Sequence, residues 1–347
     1  MPRGRRGVLS ASLAPGSAMQ NKSVRLEDVA QKAGVSITTV SHVINKTRYV
    51  KQETRELVLK TLEEMNYDTS RPREKQRASK LIGVVVADIT EDYYISIVKA
   101  IETYASEQGF SILLCDSEDD PEKEKRNLKA ILDRDVSGLI LSPINCERCP
   151  KEIKDARIPV VFIDRKYSKN DRVFVGINNF DSGFFGTKYL ATKGCKAIGF
   201  IGYPDTVYTV RQRAIGYRQC LHELLPDCEP RELTLNYRRE DSTRLIREFV
   251  ERTRPDGILC ATSDLCYQMI GSLEEMGISI PSRMKIVTYD DNRWLDYLKY
   301  PISVITQPTS EMGFTAIDIL VRMIRRPADR KKIATDVFLE TGFIDRL

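Results

Sequence analysis

Polar and apolar positions alternate first with a helical period and later with a strand period. Leu26, Val29, Ala30 and Ala33 fall at i, i+3, i+4 and i+7, the spacing of one helix face. Gly34-Val35 interrupts that face, and Ser36 stands where an N-cap belongs. Val40, Val43 and Ile44 then mark the buried stripe of a second short helix. The spacing predicts a third helix from about Glu53 to Met65, with Leu57, Val58, Leu62 and Met65 turned inward. Two short helices joined by a tight Gly-containing turn and closed by a third form a helix-turn-helix. Residues 68–80, DTSRPREKQRASK, hold no large apolar side chain and read as a linker.

From Leu81 onward, apolar runs alternate with amphipathic helical stretches. The first series is LIGVVVADI, FSILLC, GLILSP and IPVVFID, and a second follows with RVFVGIN, AIGFIGY, ELTLNY, GILCATS and KIVTYD. Strands apolar on both faces, each followed by a helix, predict two doubly wound parallel sheets in tandem. The expected fold is thus a small all-α helix-turn-helix head plus an α/β two-lobed body with a cleft between the lobes. The expected boundaries are 1–22 for an arm, 23–67 for the head, 68–80 for the linker and 81–347 for the body.

Charge sharpens this division. Among 347 residues, 54 Lys+Arg stand against 49 Asp+Glu, but the first 80 residues carry 16 basic and 8 acidic side chains and the remainder is net acidic. A basic module joined to a nearly neutral body points to polyanion binding. Residues 1–22 imitate a secretory signal only faintly, and a disordered arm or a start at Met19 fits them better. No apolar run approaches the ~20 residues of a membrane span, so a soluble chain is expected. The eight cysteines lie scattered in apolar runs, which suits buried thiols in a reducing, cytoplasmic compartment. Cys146-Glu-Arg-Cys149 has metal or redox spacing, but no second such pair exists and the chain has two histidines, so two loop thiols are expected there and no metal.

Two regions carry candidate chemistry. On the second helix, Ile37, Thr38, Ser41, His42 and Asn45 lie off the apolar stripe, the face through which such helices reach base edges in the major groove. A merely solvated face is the alternative. In the body, ligands of open α/β sheets sit beyond the carboxyl ends of the strands. There the sequence places Asp88, Tyr93 and Tyr94, then Asp164-Arg165, then Thr209 and Arg213, then Asp264, and finally Asp290 and Trp294. Carboxylates, arginines and flat aromatic faces suit a polyhydroxylated ligand, although any one of them can equally cap the following helix. Trp294 is placed either against the ligand or in the wall between the lobes. Dinucleotide and nucleotide-triphosphate loops, a nucleophile elbow and a His/Cys metal quartet are all missing from the sequence. No cofactor is expected. A hydrolase built on converging Asp88, Asp164, Asp264 and Asp290 would leave the basic helix-turn-helix without a purpose. A sugar-binding transport protein would require no such head.

The stretches VRLEDVAQKAGVSITTVSHVINKTRYV and TRELVLKTLEEMNY resemble the DNA-binding head of the lactose/galactose repressor family, and within it most resemble the purine-repressor branch. The resemblance continues through IGVVVADI, VSGLILSP, IPVVFIDR, Arg213–Tyr217, TSD at 262–264, YDD at 289–291 and ITQP at 305–308. It implies a transcriptional repressor without catalysis: a homodimer on a pseudo-palindromic DNA operator, with a periplasmic-binding-protein-like body whose lobes close on an effector. It also implies that Ile37, Thr38 and His42 read bases while Ser36, Thr39 and Ser41 lie near phosphates. Asp88, Tyr94, Arg165, Thr209, Arg213, Tyr237, Asp264 and Asp290 match its pocket positions. Three crossings between lobes are implied, with lobe 1 at about 81–178 and 307–326 and lobe 2 at about 179–306 and 327–347, so that a last strand near Thr335–Thr341 belongs to lobe 2.

Two departures from the family pattern matter. The linker lacks the Pro-Asn pair, has Pro72 inside it and Gln76 where a minor-groove leucine is usual. Operator affinity is therefore expected to rest on phosphate contacts from Arg71, Arg73, Lys75 and Arg77, with a steep salt dependence. In the pocket, Arg165 replaces a base-stacking aromatic. The expected effector is accordingly a sugar or a sugar acid rather than a purine.

Overall fold

The computed structural model describes residues 26–45, 48–65, 67, 80–169, 172–236, 242–333 and 335–347. The chain divides into two units, Met1–Arg77 and Ala78–Leu347.

In the first unit, α1 (Leu26–Ala33), α2 (Ile37–Asn45) and α3 (Gln52–Glu64) bury Val29, Ala30, Ala33, Val40, Val43, Val58 and Leu62 against one another. The turn between α1 and α2 depends on Gly34 at φ +65°, a left-handed position that favours glycine. There Val35 N–H bonds Ala30 O at 3.1 Å and Gly34 N–H bonds Gln31 O at 3.3 Å, closing the end of α1. Ser36 Oγ accepts Thr39 N–H at 3.1 Å and caps α2. Leu57 departs from expectation: it is 49% exposed. The inward face of α3 is Val58, Thr61 and Leu62, at i, i+3 and i+4, and Leu57 is rotated from it by about 100°.

The second unit runs β1 (Leu81–Val86), α4 (Asp92–Glu107), β2 (Ser111–Asp116), α5 (Pro121–Leu132), β3 (Gly138–Leu141), α6 (Lys151–Lys154), β4 (Val160–Ile163) and β5 (Val173–Ile177). It continues with α7 (Asn179–Thr192), β6 (Ile198–Gly202), α8 (Tyr208–Leu224), β7 (Arg231–Thr234), α9 (Ser242–Thr253), β8 (Gly257–Cys260), α10 (Ser263–Glu275) and β9 (Lys285–Tyr289). A 3-10 turn at Arg293–Tyr297, β10 (Ser303–Thr306), α11 (Thr309–Arg325), a second 3-10 turn at Pro327–Lys332, β11 (Asp336–Leu339) and β12 (Gly342–Ile344) complete it.

Two six-stranded sheets result, ordered β11-β5-β4-β3-β1-β2 and β12-β10-β9-β8-β6-β7. Every pairing is parallel except β10 with β12. RVFVGIN, which opens the second series along the chain, supplies β5 and completes the first sheet. After β10 the chain returns to the first lobe, where α11 buries Met312, Ala316, Ile317 and Leu320 with Ile97 and Ile101 of α4.

The expectation that residues 327–347 all belong to the second lobe is corrected here. β11 pairs with β5 in the first sheet, Val337 opposite Val175, and only β12 lies in the second sheet, Val304 opposite Ile344. The third crossing therefore falls at Glu340-Thr341. Each sheet has one edge strand, β5 or β10, left by its doubly wound core, and the chain end supplies one strand to each of them.

Two helices of the second lobe approach through glycines. A Cβ on Gly183 of α7 would meet the Arg213 carbonyl at 2.2 Å, and one on Gly216 of α8 would meet the Phe180 carbonyl at 2.1 Å. This contact sets Arg213 at the lip of the second sheet.

Candidate functional site

On the first lobe, the ends of β1, β2 and β4 and the start of α4 converge. Asp164, just after β4, sits at φ +63°, a strained left-handed position for a non-glycine residue. That turn points its carboxylate at α4, where Oδ1 accepts Tyr93 O–H and Oδ2 accepts Tyr94 O–H, both at 2.8 Å. Tyr94 O–H also lies 3.0 Å from Ser142 Oγ. Arg165 is buried beside them: its Nη1 donates to Asp119 Oδ1 at 2.9 Å, and its Nε lies 3.5 Å from Asp164 Oδ2. Asp88 Oδ1 accepts both the N–H and the hydroxyl of Thr90. Burial works against the Arg165 charge, yet Tyr94, Asp119 and Asp164 together push its pKa upward. Burial, countered in part by Arg165, pushes Glu91 up to about 8, and Asp119, Asp88 and Asp290 add to the rise.

The second lobe repeats the device. Asp290 follows β9, its fourth strand, as Asp164 follows the fourth strand of the first lobe, and it sits at φ +64°. Its Oδ1 accepts Gln307 Nε2 at 2.8 Å. Arg213 reaches the same point from α8. Its Nε donates to Asn179 Oδ1 at 2.8 Å, its Nη1 to the Ala261 carbonyl and its Nη2 to Gln307 Oε1 at 3.3 Å. The guanidinium lies 3.6 Å from the centre of the Tyr289 ring. Burial pushes Asp290 up to about 6 against the pull of Arg213 and Gln307.

Between these walls lies a cavity of about 430 Å³, lined by Tyr93 and Ser96 of α4, by Asp290 and Arg293 after β9, and by Gln307 and Thr309 of the second crossing. The crossing thus contributes to the wall as well as to the connection. Such a cavity suits a small polar ligand.

Of the residues expected in the pocket, Asp88, Tyr93, Tyr94 and Arg165 are brought together on one side and Arg213 and Asp290 on the other. Thr209 is buried in the first turn of α8. Asp264, in the first turn of α10, accepts Tyr203 O–H at 3.0 Å and Gln268 Nε2 at 2.8 Å. Trp294 is placed elsewhere, edge-on to Tyr267 at 5.5 Å and against the core of its own lobe. The 3-10 turn carries it back over α10 instead of into the cleft. Tyr237 lies outside the described residues. Sequence reasoning missed Glu91, Asp119, Asn179, Tyr289 and Gln307. Asp119 was open to the strand-end rule, since it follows β2, whereas nothing local marks Asn179 or Gln307 as partners of Arg213.

On the head, Ile37 is 48% exposed and Ser36 and Thr38 are exposed with it, while Thr39, Ser41 and His42 are half-buried on the same helix. Ser36 Oγ is 2.9 Å from Thr39 Oγ1. The Asn45 side chain and Arg71, Arg73, Lys75 and Arg77 lie outside the described residues. Cys146 and Cys149 are free thiols, Cys146 buried and held through its N–H by Thr206 O of the other lobe at 3.0 Å. Among the described residues no helix is long and apolar enough to cross a membrane.

The comparison with known proteins agrees with this division. A model of bacterial regulatory proteins of the lacI family matches residues 25–70, and one of periplasmic binding protein-like domains matches 187–347. The HTH-type transcriptional repressor PurR of Haemophilus influenzae strain PittEE is 32% identical over 315 residues, covering 86% of this chain and 90% of the relative. Its counterpart in Actinobacillus pleuropneumoniae serotype 5b strain L20 is 30% identical over 307 residues, covering 86% and 91%. Among solved structures, the CelR–cellobiose complex is similar with a TM-score of 0.68 at 24% identity, covering 93% of this chain and 99% of that one. The lac repressor dimer bound to operator and the anti-inducer ONPF gives 0.65 at 24%, covering 94% and 98%. The Pseudomonas putida Cra regulator in complex with fructose 1-phosphate gives 0.68 at 22%, covering 78% and 99%. These three likenesses are likenesses of fold. With a helix-turn-helix head, a cleft between two sheets and identity to curated repressors across most of both chains, the protein belongs to the lacI family of bacterial regulatory proteins, DNA-binding transcriptional repressors that carry a ligand-binding domain.

Proposed function

We propose that this repressor is a cytoplasmic homodimer that binds a pseudo-palindromic operator, and that a small sugar held between its lobes sets operator affinity. The observation that carries the reading is the meeting of strand-end groups from both lobes, Tyr93, Asp164 and Arg165 with Arg213, Asp290 and Gln307, around one polar cavity. Hydroxyl-rich ligands are recognised by such carboxylate, amide and guanidinium sets. Solved relatives hold cellobiose or fructose 1-phosphate, which supports the same class here. Every contact made by the carboxylates serves binding and orientation, and no catalytic step is assigned to them.

On the DNA side, Ile37, Thr38 and His42 read bases, Ser36, Thr39 and Ser41 hold phosphates, and Asn45 extends the same face. Arg71, Arg73, Lys75 and Arg77 add linker contacts to phosphates. Dimerisation follows from palindromic recognition and from the exposed aromatic face of the second lobe, where Tyr267 is 62% and Tyr297 87% exposed.

Fluorescence anisotropy on a pseudo-palindromic duplex and a scrambled one, at several salt concentrations and with or without pooled sugars and sugar acids, tests this. Preference for the palindrome that changes with the pool is expected. Equal binding to both duplexes, unaffected by the pool, refutes it.

A further inference from the structure

This inference rests on the reading of the cleft as a sugar site and extends it to the charge of the sugar. The groups gathered there are unbalanced: Asp88, Glu91, Asp119 and Asp164 from the first lobe and Asp290 from the second stand against Arg165 and Arg213. They share one field, since the Glu91 carboxyl feels Asp119 and Asp88 on its own lobe and Asp290 across the cleft. The Arg213 fork is spent on Asn179, Ala261 and Gln307, and Arg165 is turned to Asp119 and Asp164. A ligand carboxylate or phosphate would enter a field of its own sign and compete for guanidiniums already engaged.

The opposite charge fits. Asp88, Glu91 and Asp119 each bring a carboxylate oxygen within 4.8 Å of the other two. Three acceptors about 2.8 Å from one ammonium nitrogen, at tetrahedral angles, stand about 4.6 Å apart. The Glu91 carboxylate accepts no hydrogen bond and makes no ion pair among the described residues. A second observation points to the same place. Arg165, 7% exposed and bonded to the Asp119 member of the cluster, leaves its buried Nε–H without an acceptor. Such a donor awaits a ligand oxygen. Because Arg165 already offsets part of the cluster's charge, a monocation balances what remains better than a divalent ion.

We propose that the effector is an aminated sugar, its primary ammonium seated among Asp88, Glu91 and Asp119 and a neighbouring oxygen accepting from Arg165 Nε. The raised pKa of Glu91 is in keeping with this, because an ammonium restores the charge that burial and the neighbouring carboxylates disfavour.

Titration calorimetry of the full chain, in buffer containing EDTA, tests the proposal with 2-amino-2-deoxyhexoses of the gluco, galacto and manno series, their parent hexoses, their N-acetyl derivatives and hexuronic acids. At least one amino sugar binds about 10- to 100-fold tighter than its parent hexose, and N-acetylation removes the gain. In Glu91→Gln the ratio of the two affinities falls toward one. The wild-type panel decides the matter by itself if that variant does not fold. A parent hexose or a hexuronate that binds as tightly as the amino sugar overturns the charge assignment while leaving the sugar reading standing. Failure of every sugar in the panel overturns both. Binding of an amino sugar that appears only when EDTA is replaced by calcium or magnesium assigns the three carboxylates to a metal and also overturns the proposal.

Discussion

Gly216→Ala separates packing from helix propensity, because the two predict opposite signs. Gly216 lies inside α8, where alanine is favoured over glycine by roughly 1 kcal/mol. A Cβ there would stand 2.1 Å from the Phe180 carbonyl oxygen and 2.7 Å from Phe184 N on α7. Both are backbone atoms and cannot turn aside, so α7 and α8 must part by about 1 Å. Overpacking of this kind costs about 1–3 kcal/mol, and a backbone obstacle belongs at the upper end. The net expectation is a loss of about 2 kcal/mol. Gly271→Ala is the control: it is also helical, in α10, but its Cβ meets nothing within 4 Å, so it should gain about 0.5–1 kcal/mol. Urea unfolding followed by the fluorescence of Trp294, the one tryptophan of the chain and a residue of this lobe, reads both variants. Since Arg213 lies one turn before Gly216 and bonds Asn179 at the start of α7, the helix shift should also weaken effector binding. Stabilisation by Gly216→Ala comparable to that of Gly271→Ala would refute the close approach of the two helices.

Further predictions concern the head, the cleft and the dimer. His42→Ala should weaken specific operator binding by about 1–3 kcal/mol in anisotropy titrations with little change on random DNA; equal losses on both would remove His42 from base readout. Asp290 has a folded-state pKa raised from 3.8 to about 6, so the folded state holds the extra proton and this group's contribution to stability falls as pH rises between those values. Asp290→Asn should therefore shift in stability relative to wild type by about 2 kcal/mol in the variant's favour between pH 4 and pH 7, and parallel pH profiles of the two proteins would contradict this. Tyr267→Ser combined with Tyr297→Ser should raise the dimer dissociation constant at least about tenfold in sedimentation experiments, and an unchanged constant would place the dimer interface elsewhere.

Much of this architecture was legible in the chain because buried parallel strands are apolar on both faces and each is punctuated by a helix. LIGVVV, GLIL and VVFI could fold as little else, and the positions just past them held Asp88, Asp164 and Arg165 as polarity alone suggested. The short edge strands were harder. β11, DVFL, and β12, GFI, are half-exposed and equally suited to either sheet, and what assigns them is the unpaired edge of β5 or β10, a tertiary fact. Leu57 was misread for a related reason, since four apolar residues in α3 offer two overlapping faces and the partners on α1 and α2 choose between them. In the cleft, individual charged residues announced themselves, whereas their partners did not. Asn179 and Gln307 are ordinary polar residues until the α7–α8 contact and the second crossing bring them to Arg213. Trp294 shows the converse, an aromatic at a strand end that the following 3-10 turn folds onto its own lobe.

The central claim is that occupation of the cleft and occupation of the operator are coupled. The most direct measurement is the effector dissociation constant with and without saturating operator, set beside the operator dissociation constant with and without saturating effector. The account predicts that both pairs change by the same factor, as linkage requires of a two-state coupling between sites. An effector that binds the cleft with the same affinity in the presence and absence of operator, while leaving operator affinity untouched, would contradict it.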